Sequence, residues 1–173
     1  MKSPHVPAFH FNTRYIVTGK RWFGGGADMT PAIPNKEDVS IFHKSIEKVC
    51  NKHNENYYKD FKKQCDEYFY LPHRDEPRGE GGIFFDHLNN NNFETDFSFV
   101  HDFGEDILET ISEIIEKRMN KKWSDKEKDI QLYKRGRYVE FNLLWDRGTL
   151  FGLKTGGSTE AILMSMPPNA KWK

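Results

Sequence analysis

The chain has 173 residues, enough to bury one hydrophobic core and short for two domains, so a single domain over 1–173 is expected. Lysine plus arginine and aspartate plus glutamate total 26 each, giving a formal net charge of zero and no charge-based case for nucleic acid or another polyanion as partner. The opening MKSPHVPAFH lacks the charged-then-apolar pattern of a leader, and no stretch of roughly 18 uninterrupted apolar residues occurs; a soluble, cytoplasmic chain is the expectation.

The first element in chain order is FHFNTRYIV, residues 9–17, whose alternation predicts a strand with His10, Asn12 and Arg14 on one face and Phe9, Phe11 and Tyr15 on the other. KRWFGGGADMTP then starts as a second strand and is expected to break at Gly24, Gly25 and Gly26, with Asp28 directly after the turn. Asn35 to Asp38 can cap a helix with the apolar stripe Val39, Phe42, Ile46, Val49 and Cys50, and a second helix carries Tyr58, Phe61, Cys65, Tyr68 and Phe69. The two cysteines sit at apolar positions of these helices, with neither a metal-binding spacing nor a disulfide framework, and read as core thiols in a reducing compartment. LPHRDEPRGEGG is loop-like, GGIFFDHL reads as a strand ending in Asp86 and His87, and the asparagines 89–92 form a surface loop. A third helix is expected over roughly 104–120, with Ile107, Leu108, Ile111, Ile114, Ile115 and Arg118 on its stripe. Ser124 with Glu127 gives a capping-box start to a fourth. RYVEFNLLW, LFGL and EAILMSM read as strands, the first two joined at Asp146-Arg147-Gly148-Thr149 and the last preceded by Gly156-Gly157. Blocks of helices and strands without strict alternation favour an α+β fold around an antiparallel sheet.

Among groups that carry chemistry, His10, His43 and His73 form a scattered candidate metal set with Asp28 or Asp86 as an added carboxylate, although none has a short ligand spacing. Arg14, Arg74, Arg78, Arg137 and Arg147 lie in or beside strands and turns rather than along a charged helix face. Guanidinium forks so placed suit carboxylate ligands, unless each pairs with a neighbouring acid such as Asp75, Glu76, Glu140 or Asp146. The three-glycine run lacks the Gly-Lys-Ser/Thr ending of a P-loop and the Gly-x-Gly-x-x-Gly of a dinucleotide fold, which argues against a nucleotide. Asp28 can accept hydrogen bonds from a ligand's N–H groups or simply cap a turn. Fourteen phenylalanines and 7 tyrosines could wall a flat ligand or pack sheet against helix. No activated serine or cysteine motif is present.

Five ordered segments, PHVPAFHFNTR, WFGGGADMTP, CDEYFYLPHRDEPRGEGGIFFD, YKRGRYVEFNLLWDRGTLFGL and TGGSTEAILMSMPP, resemble the oxygen-dependent coproporphyrinogen III oxidase family, from Pro4 to Trp172. The resemblance implies oxidative decarboxylation of two propionates of coproporphyrinogen III to vinyl groups, giving protoporphyrinogen IX in heme biosynthesis. It implies no organic cofactor, molecular oxygen as co-substrate, and a divalent metal cation in some bacterial members. It further implies a homodimer of subunits with a flat antiparallel sheet flanked by helices on both faces, and the active site in a cleft over that sheet. Carried over by position, His10 matches the proton donor, and Asn12, Thr13 and Arg14 a substrate-contacting triplet. His10, His43 and His73 match metal positions. Asp28 matches an aspartate for pyrrole N–H groups, Asp146 and Arg147 a pair in substrate handling, and Gly156, Gly157 and Ser158 a substrate-binding Gly-Gly-Arg.

Three positions depart from the family pattern: Ser158 stands for that arginine and cannot form a fork, His87 for a second aspartate, and Arg21 for the first of two tryptophans. The family's N-terminal region has no counterpart before the His10 motif, so a truncated domain with an open sheet edge is expected. Two other readings stand beside the enzyme: a non-catalytic remnant or porphyrin-binding fragment of that family, and an unrelated metal-dependent oxygenase built on His10, His43, His73 and a carboxylate.

Overall fold

A computed structural model describes residues 2–172. Strands β1 (Ala8–Val17) and β2 (Arg21–Thr30) pair antiparallel, with His10 opposite Asp28 and Arg14 opposite Gly24. On its other side β2 pairs antiparallel with β5 (Gly81–Leu88), and β1 has β2 as its one strand neighbour among the described residues. The glycine run does not break the strand, contrary to the sequence expectation. It lies in the middle of β2, where side chains would not fit: a Cβ on Gly25 would stand 2.7 Å from the Asn12 carbonyl oxygen and 2.9 Å from the Phe85 ring, and one on Gly24 2.6 Å from the Arg14 guanidinium. Glycine here serves close approach within a continuous strand, with a register shift against β5 between Phe23 and Gly25.

Period-2 alternation then divides the sheet. Phe9, Phe11, Ile83 and Phe85 face helices α1 (Lys36–His53), α2 (Tyr57–Tyr68) and α3 (Phe93–Arg118), and ring pairs such as Phe9 with Phe42 (5.8 Å) and Phe11 with Phe103 (5.9 Å) fill the core. Asn35 caps α1 by accepting from the Glu37 and Asp38 N–H groups, as expected. Asn92 caps α3 by accepting from Thr95 N–H, so this helix starts well before residue 104, and Phe99 and Phe103 extend its buried stripe to Ile107 and Ile114. Leu108 lies off that stripe, 54% exposed. At its far end Arg118 closes a fork on the buried Asp38 at 2.7–3.0 Å, tying α3 to the start of α1. Cys50 and Cys65 are unpaired and buried, and desolvation pushes the Cys50 thiol up to about 12.

Across the opposite face of the sheet lies α4 (Asp125–Leu144), started by the Ser124–Glu127 capping box, and Phe141 packs there against Phe69 and Tyr68, in a cluster that Phe84 joins from β5. A short hairpin, β3 (Tyr70–Leu71) with β4 (Glu76–Pro77), leads from α2 towards β5. The fold is thus α+β with helices on both faces of an antiparallel sheet. The three C-terminal strand expectations are overturned. RYVEFNLL completes α4, LFGL lies in α5 (Arg147–Lys154), and EAI lies in α6 (Thr159–Ile162) with turns after it. A short apolar run fits strand and buried helix equally by period, and here the helix begun at Ser124 continues through Gly136.

Gly136 persists inside α4 because the Lys171 carbonyl oxygen lies where its Cβ would be, while Lys171 N–H donates to the Leu132 carbonyl at 3.0 Å. In a free helix Gly→Ala adds about 0.5–1 kcal/mol of stability. In this chain Gly136→Ala is expected to reverse the sign and cost about 1–3 kcal/mol by overpacking, read as a lowered thermal midpoint.

Candidate functional site

Between the polar face of the sheet and the α4–α5 corner lies a cavity of about 560 Å³. Its floor is set by strand register: His10 and Asp28 are cross-strand partners, and the His10 Nδ1 is 3.2 Å from an Asp28 carboxylate oxygen. The other Asp28 oxygen accepts from Arg78 Nη2. Asp28 is 3% exposed, so burial opposes its charge, yet the Arg78 guanidinium and the His10 ring hold its carboxyl below the usual carboxylate range. Arg78, itself buried, is boxed by the Phe69 ring at 3.9 Å and the Tyr138 and Phe141 rings at 4.8 Å each. Its Nε has no hydrogen-bond partner among the described residues, which leaves a donor at the cavity wall.

Beside this floor Arg14 lies across Gly24, donates to Asn12 Oδ1 at 2.9 Å and pairs with Asp86 at 3.2 Å. Across the mouth, Asp146 caps α5 by accepting from Thr149 N–H at 2.7 Å and also accepts from the Tyr68 hydroxyl at 2.9 Å. The Arg147 guanidinium lies 4.7 Å over the Tyr68 ring and makes no ion pair among the described residues, so its charge stays available to an anion. Tyr68 and Phe84 stack nearly parallel, centroids 4.8 Å apart, and form a flat aromatic wall.

His10, Asn12, Arg14, Asp146 and Arg147 therefore line one cavity, and Asp28 lies directly behind it. The other candidates do not join them. Thr13, exposed, follows Asn12 by one and points to the opposite face of the sheet. Gly156, Gly157 and Ser158 form an exposed turn between α5 and α6, where the Ser158 hydroxyl accepts from Ala161 N–H.

The three histidines are separated, each with partners of its own. His43 Nε2 donates to the Glu80 carbonyl and its Nδ1 accepts from Tyr58, both at 3.0 Å, and burial lowers its pKa, favouring the neutral ring. His73 bridges Glu140 at 2.8 Å and the Trp145 indole at 3.1 Å. Among the described residues no three histidine, cysteine, aspartate or glutamate side chains are grouped so as to hold a metal ion, so the donor set does not fit one.

Arg74 and Arg137 follow the protein-acid alternative, Arg74 forking onto Glu140 at 2.7 and 2.9 Å and Arg137 reaching Glu76 at 3.0 Å. Tyr68, Tyr138 and Asn142 line the cavity without having been singled out. Tyr68 had the spacing of a packing residue, and the α4 pair, four apart on one helical face, was hidden by the strand reading.

The family model described as coproporphyrinogen III oxidase matches residues 1–173. The oxygen-dependent coproporphyrinogen-III oxidases of Rickettsia bellii (strain OSU 85-389) and Rickettsia rickettsii (strain Sheila Smith) are each 58% identical over 172 residues, 99% of this chain. That of Rickettsia akari (strain Hartford) is 56% identical over the same span. The chain spans 62% of the length of these relatives.

Proposed function

Since this chain belongs to the coproporphyrinogen III oxidase family, we propose that it takes coproporphyrinogen III into the cavity between sheet and α4 and uses molecular oxygen to convert two propionates to vinyl groups. Each event turns one propionate and one O₂ into a vinyl group, CO₂ and hydrogen peroxide, and two events give protoporphyrinogen IX for heme biosynthesis. The observation that carries this reading is the His10–Asp28–Arg78 array beneath a cavity rimmed by Arg14 and Arg147. A flat tetrapyrrole with carboxylates at its edge needs aromatic walls and cationic forks around it, and Phe84 with Tyr68 and the two rim arginines supply both.

In this reading His10 is the proton donor, with its ring oriented by the Asp28 carboxylate. The remaining lone pairs of Asp28 favour positive or N–H character above it. Asn12 and Arg14 hold a propionate on one side of the mouth, and Asp146 fixes the α5 terminus that presents Arg147 on the other. No step is assigned to a metal.

We place the chain in the cytoplasm, where its unpaired buried thiols stay reduced. No described helix is long and apolar enough to cross a membrane. A homodimer is part of the same reading, supported by the apolar side chains that the C-terminal segments leave exposed: Leu144 (52%), Phe151 (69%) and Met164 (84%).

The test is incubation of the full chain with coproporphyrinogen III without air, followed by oxygen, with fluorescence of the oxidised product as readout. Protoporphyrin is the expected result. Porphyrin bound with no product from well-folded protein would replace this reading with that of a binding fragment.

A further inference from the structure

Next to the main cavity is a second chamber of about 310 Å³, which shares His10, Tyr138 and Ser165 with it. One wall is a single face of α4, where Gln131, Lys134, Arg135 and Tyr138 recur at helical spacing; the other is apolar, built from Ala8, Ala32, Pro167 and Pro168. No carboxylate lines it, in contrast to the main cavity, where Asp86 and Asp146 do. Thr30 stands at its base, on the same strand face as Asp28; it is 7% exposed and its hydroxyl has no hydrogen-bond partner among the described residues. Lys134, at the lip, makes no ion pair among them.

A small chamber with apolar sides, cationic groups and no anion lowers the free energy of a carboxylate on a short aliphatic stem, and a buried hydroxyl without a partner gains a hydrogen bond when that carboxylate arrives. We propose that the chamber is an anchoring subsite for one propionate of the substrate, held by Lys134 and Thr30 while a different propionate lies beside His10. The shared residues make the geometry continuous, so a ring seated in the main cavity can extend an arm past His10 and Tyr138. This inference rests on the substrate class proposed above and adds how one ring arm is held while another reacts.

The subsite can be tested without the ring. Carboxyl-labelled ¹³C-propionate titrated into the full chain and followed by NMR is expected to saturate, with a Kd on the order of 10 mM for so small a ligand. Thr30→Val keeps the shape and removes the hydroxyl, and Lys134→Met keeps the stem and removes the charge; each is expected to weaken propionate by about 10-fold. Lys134 is exposed, so its variant is informative even if Thr30→Val perturbs folding. Absence of saturable binding, or equal affinity in Lys134→Met and the unmodified chain, overturns the subsite. Coproporphyrin III titrated in parallel separates the two levels: failure of the unmodified chain to bind the porphyrin while it binds propionate removes the tetrapyrrole reading and leaves a carboxylate subsite in place.

Discussion

Arg78→Met is expected to lower the free energy of unfolding by about 3–5 kcal/mol, measured by urea denaturation near neutral pH, because it strips a buried carboxylate of its partner. Both side chains of the Arg78–Asp28 pair are nearly inaccessible, 3% and 4% exposed, so water cannot replace the lost guanidinium. Methionine matches the stem and keeps contact with Phe69 and Phe141, which isolates the charge from the packing. Asp28→Asn removes the opposite charge and leaves the guanidinium over its aromatic box. The double variant should therefore lose less than the sum of the singles, with a coupling of about 0.5–3 kcal/mol. The pH dependence has a definite sign. In the native chain the depressed Asp28 carboxyl contributes stability above 3.8, the ordinary aspartate value, and loses it as pH falls through the folded value. Without Arg78, burial dominates and raises that carboxyl, so the folded state favours the protonated form. The gap between Arg78→Met and the native chain should accordingly narrow on acidification. A variant within about 1 kcal/mol of the native chain at neutral pH would contradict this account of the pair. In the assay proposed above, turnover should fall with the same substitution even where the protein is folded, since Asp28, which orients His10, loses the guanidinium that fixes its other oxygen.

Local signals carried much of this architecture. Asn35 and the Ser124–Glu127 pair announce helix starts by side-chain chemistry alone, and Phe42, Ile46 and Val49 recur at the spacing of a buried stripe. The alternation in β1 was enough to put His10, Asn12 and Arg14 on one surface, because a strand leaves no other choice. What could not be read locally depends on contacts across the chain. Gly24 to Gly26 look like a turn until Arg14, Phe85 and Ile83 are placed against them. Arg78 pairs with an aspartate 50 positions earlier, and no period or motif encodes that distance. RYVEFNLLW carries strand-like residues in a helix held by tertiary packing, with Phe141 fully buried against Phe69. The family resemblance reached the residues of the cavity floor and rim, whereas the Gly-Gly-Ser turn and Thr13 stand outside its lining. A motif does not carry side-chain direction, and that direction decides whether a residue faces this cavity.

Glu140→Ala is the second large effect, about 2–3 kcal/mol, and the reason is how many donors converge on one carboxylate. Glu140 receives Arg74 through both arms of its fork, Arg137 at 3.4 Å, and His73 Nε2 at 2.8 Å, while the His73 Nδ1 accepts from the Trp145 indole. These contacts bind the hairpin of β3 and β4 to α4, and the hairpin leads directly into Arg78, whose box is built from Phe69 on one side and Tyr138 and Phe141 on the other. Hydrogen bonding to Arg74, against a smaller opposing effect of burial, holds the Glu140 carboxyl at about 2, against its ordinary 4.5. Its contribution is therefore complete above 4.5 and disappears as pH falls through 2. Glu140→Gln keeps the shape and one acceptor, so its cost at neutral pH should be smaller, about 1–2 kcal/mol. Native and Glu140→Gln denaturation curves, separated at pH 7, should converge as the native carboxyl takes its proton. A separation that stayed constant down to pH 2 would mean that packing, and not the ionised carboxylate, joins hairpin to helix. In that case the Arg78 box would owe its position to the packing of Phe69, Tyr138 and Phe141.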